Sequence, residues 1–237
     1  MIITALDLDP RGTGGVRVQV DGGPFATVST QDIAALDLEV GRELDPAAAS
    51  SIERRAELFA ARAVALRMLD YRALPAREIT RRLTRKGHAR PVAEAVVSAL
   101  EAAGLVNDAE FARHFTLTRA TRRRYGPSRL EADLRRLGVD EHVASEAVRE
   151  TLEREAIEPS ALLREAAERK LKALAGLDAA VQRRRLRAYL LRRGFAGGEV
   201  VPVIDALVGR PSGVRRRASG LGRQSSAIRG SRRFSDS

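Results

Sequence analysis

The pattern of apolar and polar positions changes character once along the chain. Before residue 45 it consists of short β-branched runs. Ile2 to Leu8 and Val16 to Val20 are separated by Asp9-Pro10-Arg11-Gly12-Thr13-Gly14-Gly15, and Asp21-Gly22-Gly23-Pro24 turns into Phe25 to Val28. Val16, Val18 and Val20 alternate with Arg17 and Gln19, the period of a strand with one dry face. The pattern predicts a three-stranded β-meander that needs the first helices as a partner, with Ser29 and Thr30 capping a helical turn through Leu36.

From Asp45-Pro46 onward the period becomes helical, and Pro and Gly punctuate it where starts and stops belong. Helices are predicted over 46–69, 75–86, 91–103, 108–122, 127–137, 141–155, 159–173, 178–193 and 199–208, with Asp178 as an N-cap and Gly197-Gly198 as extra loop. The middle helix of each successive three carries the same signature: two apolar residues four apart, then a basic stretch closing on Gly. The copies are Ile79/Leu83 before Gly87, Leu130/Leu134 before Gly138 and Leu186/Leu190 before Gly194, with the glycines 51 and 56 residues apart. Nine and ten residues after each glycine stand Val96/Val97, Ala147/Val148 and Val203/Ile204. One helical unit is therefore used three times.

The expected fold class is mainly α: tandem three-helix repeats in an elongated, curved array, with a small N-terminal β-meander and a disordered basic C-terminal tail. The division runs 1–45 for the meander, 46–107, 108–157 and 158–208 for three repeats of which the last is divergent, and 209–237 for an Arg/Ser/Gly-rich tail. An aromatic content of 4% and the absence of Trp point to thin Ala/Leu/Val packing between helices.

Charge sharpens this picture. The formal net charge is +11, but residues 1–45 hold three arginines against eight acids, whereas 209–237 hold eight arginines against one Asp. The basic surface lies in the repeats and the tail, which points to an anionic partner. The lack of Cys excludes disulfides and thiolate chemistry, and no apolar run is long enough for a membrane span. Asp7 and Asp9 stand where an export signal would need positive charge, so a cytoplasmic protein is expected.

Candidate catalytic constellations are scarce. His88, His114 and His142 show no metal-ligand pairing, Asp7 and Asp9 read as polar positions on an edge strand, and Gly12-Thr13-Gly14-Gly15 lacks the Lys-Ser/Thr of a phosphate loop. No enzyme, cofactor or metal is expected. The candidate binding residues are basic. Two positions before each motif glycine stand Arg85, Arg136 and Arg192, pointing away from the apolar pair. Arg119, Arg122, Arg123 and Arg124 form the densest cluster, followed by Arg183, Arg184 and Arg185. With few aromatics beyond Tyr125 and Tyr189, contact with backbone phosphates or protein is expected rather than base stacking.

The sequence resembles the RecX family, regulators of the RecA recombinase. The resemblance rests on Ala63-x-x-Leu66 with Leu69, Glu78-Ile79-x-x-x-Leu83-x-x-Lys86-Gly87, Gly104-Leu105-Val106-Asn107-Asp108-x-x-Phe111-Ala112, Arg119, and Gly126-Pro127-x-x-Leu130-x-x-x-Leu134-x-x-x-Gly138. It implies an array lodged in the groove of the RecA–DNA filament, restraining ATP hydrolysis, coprotease activity and strand exchange, with a place in homologous recombination, DNA repair and the SOS response. On physical grounds Arg85, Arg119, Arg122, Arg123, Arg136 and Arg192 are the expected contacts with filament or DNA, and self-sufficient repeats favour a monomer. The competing expectation is an independent DNA-binding protein of tandem helix-turn-helix-like units.

Overall fold

A computed structural model describes residues 1–10, 12 and 14–210. The expected tail over 209–237 therefore lies almost wholly outside the described residues. Three strands, β1 (Ile3–Leu8), β2 (Gly15–Val20) and β3 (Gly23–Ser29), form an antiparallel sheet in chain order. Val16, Val18 and Val20 are buried on the dry face, as alternation requires. Asp7 is exposed, but Asp9 lies beyond the end of β1 and is buried, with its backbone N–H donated to the Gly15 carbonyl at 2.8 Å. It is a turn residue, which corrects its reading as an edge-strand position.

Ser29 caps α1 (Thr30–Ala35), and Asp32 returns the bond in a capping box. The same Asp32 pairs with Arg55 at 3.2 Å, tying α1 to α2 (Pro46–Tyr71). At 26 residues α2 is roughly 39 Å long, enough to serve two cores. Its N-terminal half places Ile52 among Ile3, Val18 and Val28, while Ala61 and Ala65 further along belong to the first helical set.

That set continues with α3 (Ala76–Arg85) and α4 (Arg90–Ala102). Two further sets follow: α5 (Asp108–Arg123), α6 (Pro127–Leu137) and α7 (Glu141–Arg154), then α8 (Pro159–Lys172), α9 (Ala179–Arg192) and α10 (Gly197–Val208). Gly197 and Gly198 form the first turn of α10 rather than extra loop, and Pro202 lies inside that helix. Asp178 occupies the N-cap position of α9, but its side chain makes no capping bond.

The motif helices α3, α6 and α9 share one construction. Ile79, Leu83, Leu130, Leu134, Leu186 and Leu190 are completely buried. The residue after each glycine donates its N–H to the carbonyl of the second leucine: His88 to Leu83 at 3.2 Å, Val139 to Leu134 at 3.1 Å and Phe195 to Leu190 at 3.3 Å. This terminating bond draws the following residue back over the helix end, and Val139 and Phe195 are buried there. His88, at the equivalent point of the first set, is half-buried.

Two of these glycines also join neighbouring sets. A Cβ on Gly138 would lie 2.8 Å from Cβ of Arg77 in the first turn of α3, and one on Gly194 would collide with the Arg129 backbone at the start of α6. Gly126, just before α6, donates its N–H to the Arg193 carbonyl at 2.7 Å. The C-terminal ends of α6 and α9 thus abut the starts of α3 and α6, the motif helices before them. Buried side chains from 112 to 204 form one apolar cluster spanning the second and third sets, whereas the first set has its own.

Gly87 and Gly194 separate two costs. Both have positive φ, +96° and +83°, but only Gly194 is hemmed in by neighbouring backbone. Gly87→Ala is expected to destabilise by about 1 kcal/mol, the left-handed penalty alone, and Gly194→Ala by about 3 kcal/mol or more. Urea unfolding of the two variants measures the difference.

Candidate binding surface

The apolar pair fixes which way each motif helix faces. With Ile79 and Leu83 turned inward, Arg85 comes out on the solvent side of the last turn of α3; Arg136 and Arg192 do the same on α6 and α9, and all three are exposed. Arg85 and Arg192 have no ion-pair partner among the described residues. Arg136 differs, because it pairs with Asp133 one turn back on its own helix. Only part of its charge is therefore offered outward.

The predicted cluster at the end of α5 divides. Arg122 and Arg123 are exposed and unpaired among the described residues. Arg124 adopts the left-handed conformation that ends the helix, and its Nε donates to Glu165 of α8 at 2.7 Å, bracing the second set against the third. Arg119, one turn earlier, is half-buried with its guanidinium 5.2 Å from the centre of the Phe115 ring. It points into an open cleft of about 850 Å³ between the first and second sets, lined by Leu69, Leu74, Val106, Phe111 and Phe115. Arg119 and Arg122 thus serve different surfaces. Arg183, grouped in sequence with Arg184 and Arg185, is turned inward to pair with Asp205 of α10 and bond the Gly209 carbonyl, while the other two are exposed.

The histidines are not brought together. His88 follows α3, His114 lines the cleft, and His142 on α7 lies 3.8 Å from Glu146. Among the described residues no group of three or more His, Cys, Asp or Glu could hold a metal ion, and no helix is long and apolar enough to cross a membrane.

Sequence reading missed one repeated device. Glu78 on α3 is buried, accepts a hydrogen bond from Arg82 Nε at 2.7 Å and pairs with Arg81. Nine and five residues before Gly138, in the places of Glu78 and Arg82, stand Arg129 and Asp133, bonded at 2.9 Å. The two sets hold the same i,i+4 ion pair with its polarity reversed. Opposite charges at matching motif positions were the available signal. In the third set the positions carry Arg185 and Tyr189, and no ion pair forms between them.

Similarity to known proteins agrees with this architecture. A tandem array of three-helix units defines a helical-repeat protein. Three family models match in order: the first three-helix domain of RecX over residues 61–100, the second over 107–148 and the third over 157–204. The regulatory protein RecX of Amycolatopsis mediterranei is 37% identical over 144 residues, 61% of this chain and 81% of that protein. That of Pelodictyon phaeoclathratiforme is 31% identical over 144 residues, covering 61% and 86%. A crystal structure of regulatory protein RecX superposes with a TM-score of 0.70 at 18% identity, over 86% of this chain and 98% of that one. RecX from Lactobacillus salivarius gives 0.55 at 18% identity, over 64% and 96%. The chain belongs to the RecX family of regulatory proteins.

The Glu78 ion pairs have a pH signature. Burial opposes ionisation of Glu78, but the Arg82 hydrogen bond and the charges of Arg81 and Arg82 outweigh it and hold the carboxyl below its ordinary value of 4.5. Because the folded-state pKa is depressed, the stabilisation is present above the unfolded value and is lost as pH falls through the folded one. Glu78→Gln is expected to cost about 1–2 kcal/mol at neutral pH, since its arginine partners remain partly solvated. Chemical unfolding of both proteins from pH 7 to pH 3 should show the gap closing in acid.

Proposed function

We propose that this protein is a non-catalytic regulator of the RecA recombinase that binds the RecA–DNA filament groove through its helical repeats. Bound there, it restrains ATP hydrolysis, coprotease activity and strand exchange. The repeats are 46–107, 108–157 and 158–208, and the protein acts in the cytoplasm as a monomer. ATP and its chemistry belong to RecA; this chain supplies a shaped, charged surface.

The observation that supports the reading most is the set of unpaired arginines on an array of RecX three-helix domains. Arg85, Arg122, Arg123 and Arg192 are exposed with no carboxylate partner among the described residues, so their charge is available to an anionic partner. Arg136, shared with Asp133, contributes less, and Arg119 acts from within the cleft beside Phe115. Positive charge speeds encounter with a DNA-bearing filament and makes binding weaken as salt displaces it. DNA is met through its phosphates, weakly by itself or in company with RecA.

The alternative, an independent DNA-binding protein, invokes the same arginines and is separated by affinity. Fluorescence anisotropy of the labelled protein at physiological salt is expected to show binding to RecA-coated single strands at least about tenfold tighter than to the same DNA bare. The combined Arg85→Gln, Arg122→Gln and Arg192→Gln variant should lose about tenfold of the filament affinity with its melting temperature unchanged. Equal affinity for coated and bare DNA would favour the alternative.

A further inference from the structure

One chain of side chains runs across the joint between the second and third sets. It starts at Arg136, which pairs with Asp133; Asp133 accepts from Arg129 at 2.9 Å. The Arg129 guanidinium lies 5.5 Å from the centre of the Tyr125 ring, and Arg193 lies 5.5 Å from the same centre. Arg193 is also 4.6 Å from the Tyr189 ring, whose centre is 5.4 Å from Lys170 Nζ. Seven groups from α6, α8, α9 and the adjoining loop thus form one ladder.

We propose that this ladder is a phosphate-binding strip for a single nucleic-acid strand. It rests on the nucleic-acid part of the reading above and needs no RecA. The ladder contains four cations and one carboxylate. Aromatic faces attract and orient cations without cancelling their charge, so most of the positive charge remains open to a further partner. Holding the joint together does not require this arrangement, because Arg124 and Glu165 brace the same two sets with an ordinary ion pair.

The grouping favours a strand over a small anion, since four cations linked through Asp133, Tyr125 and Tyr189 can meet several of the phosphates that repeat along a backbone, where a small anion meets one or two. The ring faces favour phosphates over bases, because Tyr125 and Tyr189 are already engaged by cations. Binding should therefore be indifferent to sequence and steep in salt. Arg129, Arg193 and Lys170 are each half-exposed, so a strand can reach them without rearrangement of the joint.

The test is titration of the full-length protein into a fluorescein-labelled oligo-dT single strand, without RecA, at several salt concentrations. Lys170→Gln and Arg193→Gln are each expected to weaken binding about three- to tenfold and to lower the slope of log K against log salt by about 0.7. Arg17→Gln, an exposed change on β2 with the same loss of charge, should leave affinity within about twofold. Lys170 ends the ladder, so its variant remains informative if Arg193→Gln fails to fold. The proposal is overturned by an unchanged slope in folded Lys170→Gln, by an equal loss in Arg17→Gln, or by poly-glutamate competing as well as oligo-dT at equal charge. RecA is absent throughout, so failure here leaves the filament reading standing, and failure of filament binding leaves the strip standing.

Discussion

The structure depends on backbone coming close to backbone where one motif helix ends against the start of another. Such an approach is open only to residues without a Cβ: Gly194 supplies it against the backbone of Arg129, and Gly138 comes in the same way against the Cβ of Arg77. The bond from the following residue to the second leucine closes the helix, and the closed end becomes the joint. Gly87 is closed in the same manner but has nothing within 4 Å of where a Cβ would be. It therefore carries the terminating role without the joining one.

Once the joints are set, the outward faces follow. A buried pair four residues apart leaves the position two before the glycine in solvent, so Arg85, Arg136 and Arg192 emerge from equivalent turns of three helices. Carboxylates then decide which arginines remain available. Asp133 moderates Arg136, Glu165 takes Arg124 and Asp205 takes Arg183, while Arg85, Arg122, Arg123 and Arg192 stay unpaired among the described residues. The joints also differ in kind. The second and third sets share one apolar cluster, an ion pair and the cation–aromatic ladder, whereas a cleft opens between the first and second.

Most of the helical framework was legible because it is written in local chemistry. Proline at a first turn and glycine after a last turn limit the helix almost wherever they occur, and the buried pairs lay at the expected spacing. Gly197-Gly198 misled because glycine reads as loop, although a first helical turn tolerates it when Ala196 can take the N-cap place. The surface was harder to read. Arg183 and Arg184 are adjacent in sequence but differ in fate because Asp205, 22 residues away, reaches only the first. Likewise, Arg119 and Arg122 are three residues apart, yet one faces a cleft beside Phe115 and the other faces solvent. Tyr125 and Tyr189 were too few to suggest a stacking platform, and only folding reveals the cations around them. Helix periodicity sets which arginines face outward, and pairing, some of it long-range, decides which of them are left without a carboxylate among the described residues.

On the reading proposed above, this array regulates RecA by occupying its DNA filament and performs no catalysis of its own. The most direct measurement is the steady-state rate of RecA ATP hydrolysis on single-stranded DNA, with this protein added from substoichiometric to equimolar amounts. A progressive fall in rate is expected with the wild-type chain, and a much smaller fall with the combined Arg85→Gln, Arg122→Gln and Arg192→Gln variant. An ATPase rate that stays constant across the titration, under conditions where RecA coats the DNA, would contradict it.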